Sequence, residues 1–459
     1  MPSIQLPVHS YRLNSITAAN SRLINCFAEV VPEGKQPIRL TRAPGIATFS
    51  SPTAGIGRGV QRALSSLYAV VGGTLYSISS AGVATSIGSI AGSGPCWLTS
   101  NSTQLVVGQD SGTWYVYNGS TLAAITDTDF TSRGAKSAQF IDNYISFVEP
   151  SSGRWFISDL AAATSYDSLN FATAEGAPDN LVTHSVDHRE AVLFGESSTE
   201  LWYNAGASGF PFERSPGGFL ELGALAVRGH CKADNSIFWL ASDYTLRRLV
   251  GQTPQRVSHH GFEERIRTYS TVADCEAYSY TFNGHICAVF RFPTAAATWV
   301  FDVTTGELHE RQSYGSGGWN ISGITDAYGR VIVQNSNTGA LGYFDSSTYT
   351  EFGAIQRAEW TYQNVYSENT RFPHSSLEMV CETGVGLATG QGSDPQITLE
   401  ISNDGGRTYT TLPTRTIGAQ GHYLTRVKWN RLGLPRDRVY RGSISDPVQL
   451  SVTDTILTT

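Results

Sequence analysis

The chain has 459 residues, more than one ordinary domain requires, and 40% of them are hydrophobic, enough for a substantial core. Only 15% are charged and the formal net charge is −7, which argues against a sequence-independent nucleic-acid-binding protein, because such a protein needs a basic face. Ser, Thr, Gly and aromatic residues are plentiful while Met and Lys are scarce, a composition that suits short strands and tight turns. We therefore expect an all-β protein of two or three domains.

Residues 1–54 are predicted to form an extended N-terminal arm. Six prolines in this segment forbid a long helix and favour a chain that lies along other surfaces. One short helix over residues 17–29, capped by Thr17, is compatible with the sequence. The first residues, MPSIQLPVHSYRLNS, have neither the basic nor the apolar region of a secretory signal. No run of apolar residues in the chain approaches the length needed to span a membrane. We expect synthesis and assembly in a cytoplasm.

Residues 55–353 contain a drifting internal repeat. Its anchor is a short aromatic or aliphatic strand that follows a turn containing Gly or Asn. The anchors are TLYSIS (74–79), TWYVY (113–117), RWFISD (154–159), ELWYN (200–204), TLRRLV (245–250), TWVFDV (298–303) and ALGYFD (340–345). They recur at intervals of about 39 to 53 residues, the length of one four-stranded propeller blade. We predict a β-propeller of seven blades, or of six if residues 245–250 belong to a long insertion.

The repeat stops after residue 353, and residues 354–459 are predicted to form a separate antiparallel domain resembling a β-sandwich. Its segments alternate polar and apolar residues as half-buried strands do. The segments are 356–366, 376–383, 396–403, 407–412, 422–429 and 438–452. The sequence GVGLATGQGSDP (384–395) predicts a glycine-rich surface loop between two of these strands.

The stretch LEISNDGGRTYTTL (399–412) contains an Asp-box pattern, S-x-D-x-G-x-T-[W/Y]. Its residues are Ser402, Asp404, Gly406, Thr408 and Tyr409. In such hairpins the Ser and Asp side chains bond the turn backbone, and the glycine supplies a positive φ. Sialidases carry several such boxes in propeller blades and also need three arginines, a Tyr–Glu pair and an acidic Asp. This chain has a single box outside the repeat, so we interpret it as structural.

Other patterns that could carry chemistry are weak. The carboxylate pairs Glu263-Glu264 and Glu307/Glu310 are candidates by proximity alone, and neighbours in a strand point to opposite faces. His184 and His188 would share a helix face as zinc ligands, but their context alternates like a strand that enters a turn. The six scattered cysteines form no C-x-x-C motif, and neither a phosphate loop nor a nucleophile elbow is present. We expect no catalytic residues, no cofactor and no metal.

One basic cluster, Arg431, Arg436, Arg438 and Arg441, lies in the sequence RLGLPRDRVYRGS. It is a candidate contact for nucleic-acid phosphate or for an acidic partner in an assembly. It also lies close to Asp437 and Asp446, so a solvated pair of strands with mixed charges is the competing interpretation.

Several stretches occur in an order that has a counterpart in one family. RLINCFAEVVPEG is followed by RAPGIATF and GRGV, with Asn25, Glu29, Pro44, Gly45, Arg58 and Gly59 at the matching points. DHREAVLFGESSTELWYNAGASGFPFER contains Phe194-Gly195, Ser198-Thr199-Glu200, Trp202-Tyr203 and Phe210-Pro211-Phe212, and ISNDGGRTY and LTRVKWNRLGLPRDRVYRGSISDPV follow. Together they resemble the packaged-DNA stabilisation proteins, the tail-hub or nozzle proteins of short-tailed bacteriophages (podoviruses). Lys428-Trp429-Asn430 is less basic than that pattern, and SDYTLRRLV is shortened.

The resemblance implies a structural virion protein and not an enzyme. Such proteins form a hexameric ring under the tail adaptor that hangs from the portal. The ring extends the DNA channel, retains the packaged genome, and contacts tailspikes or fibres and the tail needle or plug. Double-stranded DNA passes through its lumen without sequence-specific binding, and no membrane insertion is expected. Two alternatives remain open, a glycan-binding or glycan-cleaving propeller of the sialidase type and a receptor-binding spike subunit, which would be trimeric.

Overall fold

The computed structural model describes residues 4–34, 36–368 and 370–459. The chain begins with five strands, β1 (Tyr11–Arg12), β2 (Asn20–Ile24), β3 (Cys26–Val30), β4 (Ile38–Arg42) and β5 (Gly45–Ser50). The short helix considered for residues 17–29 is wrong, because β2 and β3 occupy most of that segment. Both strands pair with strands from distant parts of the chain, and such pairing outweighs a weak local helix preference.

The next part of the chain forms five four-stranded antiparallel sheets in succession. The first contains β6 (Gly57–Ala63), β7 (Ser66–Val71), β8 (Thr74–Ile78) and β9 (Ala84–Ser89). The second contains β10 (Trp97–Ser100), β11 (Leu105–Gly108), β12 (Trp114–Tyr117) and β13 (Leu122–Ala124). After helix α1 (Thr128–Arg133) comes the third, with β14 (Ser137–Ile141), β15 (Tyr144–Val148), β16 (Arg154–Ile157) and β17 (Phe171–Thr173).

The fourth sheet contains β18 (Leu181–Asp187), β19 (Glu190–Gly195), β20 (Thr199–Asn204) and β21 (Phe212–Leu220). The fifth contains β22 (His230–Ala233), β23 (Ser236–Leu240), β24 (Leu246–Val250) and β25 (Thr253–Arg256). Because β24 is an ordinary third strand of this sheet, residues 245–250 belong to a full blade and not to an insertion.

Helix α2 (His260–Ile266) leads to the sixth and seventh sheets. The sixth begins with β26 (Glu276–Phe282), β27 (His285–Phe292), β28 (Ala297–Asp302) and β29 (Glu307–Glu310). The seventh contains β30 (Ile321–Ala327), β31 (Arg330–Asn335) and β32 (Leu341–Asp345), followed at its edge by β33 (Thr350–Glu351) and β34 (Ala354–Ile355). Its fourth strand is β5 from the N-terminal segment, which pairs antiparallel with β32. The described residues therefore form a seven-bladed propeller in which the two ends of the circle share one sheet.

A recurring turn joins the first and second strands of the blades. Both of its central residues have positive φ, as the type I′ hairpin requires. These pairs are Leu64–Ser65, Asp142–Asn143, His188–Arg189, Asp234–Asn235, Asn283–Gly284 and Tyr328–Gly329. In the second blade a longer loop replaces the turn, and the Asn101 side chain accepts hydrogen bonds from the backbone N–H groups of Thr103 and Gln104 at 2.9 and 2.7 Å.

The C-terminal part of the chain forms a β-sandwich. Its strands are β35 (Ala358–Thr361), β36 (Val365–Tyr366), β37 (Ser376–Cys381), β38 (Gln396–Ser402), β39 (Thr410–Thr411), β40 (Arg415–Thr416), β41 (Val427–Asn430), β42 (Asp437–Ile444) and β43 (Ser451–Thr458). One sheet has the order β3-β4-β43-β37-β41, and the other contains β2-β35-β42-β38-β39. The core between them includes Trp360, Tyr362 and Trp429, all at most 1% exposed. The N-terminal segment therefore contributes strands to both domains.

Candidate functional site

The Asp-box residues form one hairpin at the end of β38. The Ser402 hydroxyl donates to Asp404 Oδ1 at 2.6 Å and accepts from the Gly406 N–H at 2.8 Å. Asp404 also accepts from the backbone N–H and the hydroxyl of Thr408 at 3.0 and 2.6 Å. The hydrogen bonds from Ser402 and Thr408 hold the pKa of Asp404 well below its usual range. The carboxylate is thus committed to its own turn.

The hairpin also contacts the N-terminal segment. Gly406 has a φ of 92°, and a Cβ there would overlap the Asn20 side-chain amide. The same amide donates to the Gly405 carbonyl at 3.3 Å. The Tyr409 ring centroid lies 3.7 Å from the guanidinium carbon of Arg441, within cation–π distance. The box joins the edge of the sandwich to β2.

The four arginines of the basic cluster are in different surroundings. Arg441 Nε donates to Glu400 at 2.8 Å, between paired strands. Arg438 is buried, and it donates to the Leu432 carbonyl and, at 2.9 Å, to the Asn403 side chain. Arg431 and Arg436 are exposed in the loop between β41 and β42.

The propeller and the sandwich share one continuous sheet. β2 pairs antiparallel with β35 of the sandwich and makes a parallel bridge, Ile24 to Glu310, with β29 of the sixth blade. Arg22 on β2 holds Glu310 in a bidentate ion pair, with N–O distances of 2.8 and 2.6 Å. Burial alone would lower the pKa of Arg22, but the Glu310 carboxylate raises it overall.

Buried polar side chains reinforce the crossing between the domains. Arg42, at 3% exposure, donates to the carbonyls of Asp446 and Val448 at 2.5 and 2.8 Å, and to the Gln356 carbonyl. Burial lowers the pKa of Arg42 to about 10. Asn25 donates to the carbonyls on both sides of the crossing, those of Gln312 and Arg357, at 2.8 Å each.

Further residues of the quoted motifs fix neighbouring strands and loops. Arg58, at 2% exposure, donates to the carbonyls of Gly72 and Gly94 at 2.9 and 2.6 Å and so ties the first blade to the loop before the second. Glu200 is buried and accepts from the Gly176 N–H at 2.5 Å and from the Trp202 indole at 2.8 Å. These motif residues form hydrogen bonds with buried backbone groups, and this structural role accounts for the presence of charged side chains at buried positions.

A pocket of about 290 Å³ opens on the propeller axis, where the first strands of the blades begin. Arg228 lines it and is held by the Pro95 carbonyl at 3.0 Å, by Asp110 at 3.0 Å and by the Trp97 ring at 4.4 Å. Glu276, also in the lining, is bound to Arg291 at 2.6 Å. Arg228 and Glu276, two charged side chains of the pocket lining, therefore already have partners within the protein.

One buried arrangement has the composition of a catalytic site. His184 lies between the hydroxyls of Ser137 and Ser146, at 2.8 and 2.9 Å. All three residues are 0% exposed, and burial lowers the pKa of His184 to about 3, so no substrate can reach the group. His188 instead binds Asp187 in the adjacent turn, at 2.8 Å. Across the described ranges, no group of three His, Cys, Asp or Glu side chains is placed to hold a metal ion.

The carboxylate pairs named from the sequence are likewise occupied. Glu263 and Glu264 lie on helix α2, so their interpretation as neighbours in a strand is wrong. His259 is the N-cap of this helix, and its side chain accepts a hydrogen bond from the Phe262 N–H. Glu263 binds Arg256, and Glu307 contacts His9 at 2.9 Å.

Comparison with known families decides the assignment. The sequence pattern of a family described as "Bacteriophage P22 Gp10, beta-propeller" matches residues 11–349, and that of "Bacteriophage P22 Gp10, beta-sandwich" matches residues 359–458. The chain belongs to the bacteriophage P22 Gp10 family. The resemblance to the tail-hub proteins is confirmed, as are the all-β class, the propeller and the C-terminal sandwich. As a Gp10-family protein, the chain is a structural component of the phage tail.

Three solved structures match this Gp10-family chain at low sequence identity and low TM-score. A computationally designed protein, Ika8, is 14% identical, with a TM-score of 0.41 over 74% of this chain and 98% of its own. BamB from Moraxella catarrhalis is 12% identical, with a TM-score of 0.40 over 71% and 98%. PorZ from Porphyromonas gingivalis is 10% identical, with a TM-score of 0.41 over 79% and 46%. Among curated proteins no relative matches.

Neither helix of the described part of this Gp10-family chain has the length and apolar character needed to cross a membrane. The residues that tie its two domains together had no local signal in the sequence. Arg22 and Glu310 are 288 positions apart, and Arg42 binds a carbonyl 406 positions away. Only the family pattern could have drawn attention to Asn25 and Arg58.

Proposed function

We propose that the chain is the subunit of a hexameric tail hub, or nozzle, that extends the DNA channel below the portal and the tail adaptor. In this role it retains the packaged genome and anchors tailspikes or fibres and the tail needle or plug. The observation that carries the proposal is the match of two Gp10 family patterns, in order, over nearly the whole chain. Assembly takes place in the cytoplasm of the bacterial host.

The charge of the chain supports a conduit that DNA passes without binding. The chain has 39 acidic and 32 basic side chains excluding histidine. Each phosphate that a basic side chain neutralises adds affinity through counterion release, so a conduit benefits from few free cations. Arg22, Arg42, Arg58, Arg228 and Arg441 are all engaged by carboxylates or carbonyl groups of the protein itself.

We propose further that the C-terminal sandwich forms the ring and meets the adaptor, while the propellers radiate outward. A closed ring of identical subunits repeats one heterologous contact between two different surfaces of the chain. The propeller is a closed circle of seven sheets and needs no neighbour to complete it, whereas the C-terminal domain is small and carries charges of both signs. The Asp box is a structural hairpin of this platform, and Arg431 and Arg436 are its candidate contacts with DNA or a partner.

Electron microscopy of tails tests the proposal. Tagged protein would be captured from lysates of cells that produce the native phage, and single particles would be imaged. A sixfold ring with an open axis, attached to a twelvefold adaptor, supports the tail hub. Threefold particles would favour a spike subunit, and isolated discs that hydrolyse a fluorogenic sialoside would favour a glycan-cleaving propeller.

A further inference from the structure

Two adjoining loops at one end of the sandwich carry an exposed apolar surface, here called the loop patch. It consists of Leu387, Tyr423 and Leu424, whose exposures are 42%, 72% and 97%. No charged side chain other than histidine occurs between residues 383 and 393 or between 417 and 425. Large apolar side chains exposed to this extent, and grouped together, mark an interaction surface.

Hydrogen bonds hold the loop patch in a fixed shape. Gly384 N–H donates to the Ile417 carbonyl at 2.9 Å, and the Gly384 carbonyl accepts from the Gly421 N–H at 3.1 Å. The Thr383 hydroxyl donates to the Tyr423 carbonyl at 2.7 Å. A surface that is already ordered loses little conformational entropy when it docks.

A second apolar surface, here called the arginine patch, lies on the same sandwich. Tyr366 and Leu434 are 70% and 63% exposed. The exposed side chains of Arg371, Arg431 and Arg436 belong to the same two segments of chain. These segments are joined by backbone hydrogen bonds from Phe372 to Pro435, at 3.2 Å, and from His374 to Gly433, at 2.8 Å.

The strand register places the two patches at opposite ends of the sandwich. Ile397 pairs with Ile444, and Ser402 pairs with Val439, so β42 begins beside the arginine patch and ends beside the glycine-rich loop. In the other sheet, β37 runs from the arginine patch to the loop patch, and β41 runs back. The eight residues of β42 separate the ends by about 25 Å.

The two ends also differ in charge. Glu382 and Asp394, both exposed, flank the loop patch, and Asp446 lies at the same end. The one arginine beside the patch, Arg426, is exposed but is held in a bidentate ion pair by Glu378. The arginine patch has three exposed arginines in its two segments, opposed by Glu368 and Asp437. Two apolar surfaces of opposite charge attract each other, whereas a contact between two copies of the same end would bring like charges together.

We propose that, in the tail ring, the loop patch of one subunit docks onto the arginine patch of the next. The partner is a second copy of this chain, and the contact is heterologous, because the two surfaces differ. Leu424 and Tyr423 provide the apolar anchor, and Glu382 and Asp394 face the arginines of the neighbour. The inference rests on the proposed ring and names the surfaces that close it.

Cross-linking in assembled tails tests the contact directly. A chain with both Leu424→Cys and Leu434→Cys would be supplied to cells producing the phage, and purified tails would be treated with a short bismaleimide. We expect a ladder of covalent oligomers from the double variant and none from either single variant. Leu169, a leucine of the third blade with 73% exposure, supplies the control as Leu169→Cys with Leu434→Cys.

A competition experiment adds a readout that does not depend on cysteines. Wild-type and variant chains would be co-expressed, and their ratio in tails compared with their ratio in the soluble pool. Because the arginine patch is basic, we expect Leu424→Arg to be depleted by about tenfold or more, equivalent to about 1.4 kcal/mol, and more strongly than Leu424→Asp. Leu169→Arg is the matched control and should enter tails like the wild type.

The outcomes separate the inference from the proposed function. Tails that contain the protein but give no ladder, and that accept Leu424→Arg as well as wild type, overturn the inference and leave the tail hub intact. Stronger depletion of Leu424→Asp than of Leu424→Arg also overturns it, since the loop patch would then face an acidic partner. Absence of the wild-type chain from tails removes the proposed function itself.

Discussion

The ion pair between Arg22 and Glu310 should couple the two domains measurably. It joins β2, which belongs to the sandwich, to β29 of the sixth blade, and Glu310 is only 12% exposed. The chain contains a matched pair, Arg426 and Glu378, with the same bidentate N–O distances of 2.8 and 2.6 Å. Arg426 is 69% exposed, whereas Arg22 is 31% exposed. The two pairs thus differ mainly in their access to water.

The expected magnitude follows from that difference. Removing Arg22 as Arg22→Met leaves the Glu310 carboxylate without its partner in a site largely closed to solvent, which costs about 2 to 3 kcal/mol. Removing both partners, as Arg22→Met with Glu310→Leu, relieves that penalty, so the double variant should be more stable than the sum of the single changes by about 2 kcal/mol. The exposed pair should show a coupling close to the experimental error, because water screens it.

Chemical denaturation of the four proteins in each double-mutant cycle, followed by circular dichroism, gives the two coupling energies. Hydrogen exchange at β2 adds a local readout, which should accelerate only in the Arg22 and Glu310 variants. A coupling for Arg22–Glu310 no larger than that for Arg426–Glu378 would refute the reasoning, because burial would then contribute nothing to the pair.

Three other changes follow from the geometry. Gly406→Ala should lower the free energy of unfolding by about 2 to 4 kcal/mol, because its Cβ would overlap the Asn20 side-chain amide. Gly421→Ala is the control: its Cβ would meet open space, so only its positive φ should cost stability, by about 1 kcal/mol. Urea denaturation of both variants measures the difference. Arg42→Met should cost about 3 kcal/mol by leaving buried carbonyls unpaired, and an unchanged denaturation midpoint would contradict this role. Burial lowers the pKa of His184 to about 3 and that of His230 to about 4, so below about pH 6.5 the unfolded chain binds protons that the native chain does not. The contribution of these buried histidines to the free energy of unfolding should therefore be fully present above about pH 6.5 and decrease as the pH falls toward 4. In thermal melts across this range, His184→Gln should make the decrease shallower.

The repeat could be predicted because its signal is local. Each anchor segment overlaps the third strand of a sheet, from TLYSIS in β8 to ALGYFD in β32. These strands alternate around a buried core and follow turns, and both properties lie within a dozen residues of sequence. The same holds for the Asp box, whose bonds span at most four residues.

The closing strand could not be predicted in this way. β5 carries no mark that distinguishes a blade strand from an arm, and its partner β32 lies almost 300 residues later in the chain. Among the recurring type I′ turns, Asn283–Gly284 has the pair that predicts this turn most strongly, and Asp142–Asn143 and Asp234–Asn235 also consist of residues that favour it. Pairs such as His188–Arg189 adopt it because the flanking strands impose the geometry. The loop patch could not be predicted either, since the sequence of a glycine-rich loop does not indicate which of its side chains face water.

The shared seventh sheet limits how early the chain can complete its fold during synthesis on the ribosome. β5 is among the first segments to emerge, yet it has no partner until β32 has been synthesised, and β4 waits still longer for β43 near the last residue. Until then the nascent chain exposes unpaired strand edges, which are prone to aggregation. A product that ends before β32 therefore lacks a closed circle, and one that ends before β43 lacks a complete sandwich. The topology therefore makes the closure of each domain depend on a strand that is synthesised hundreds of residues after its partner.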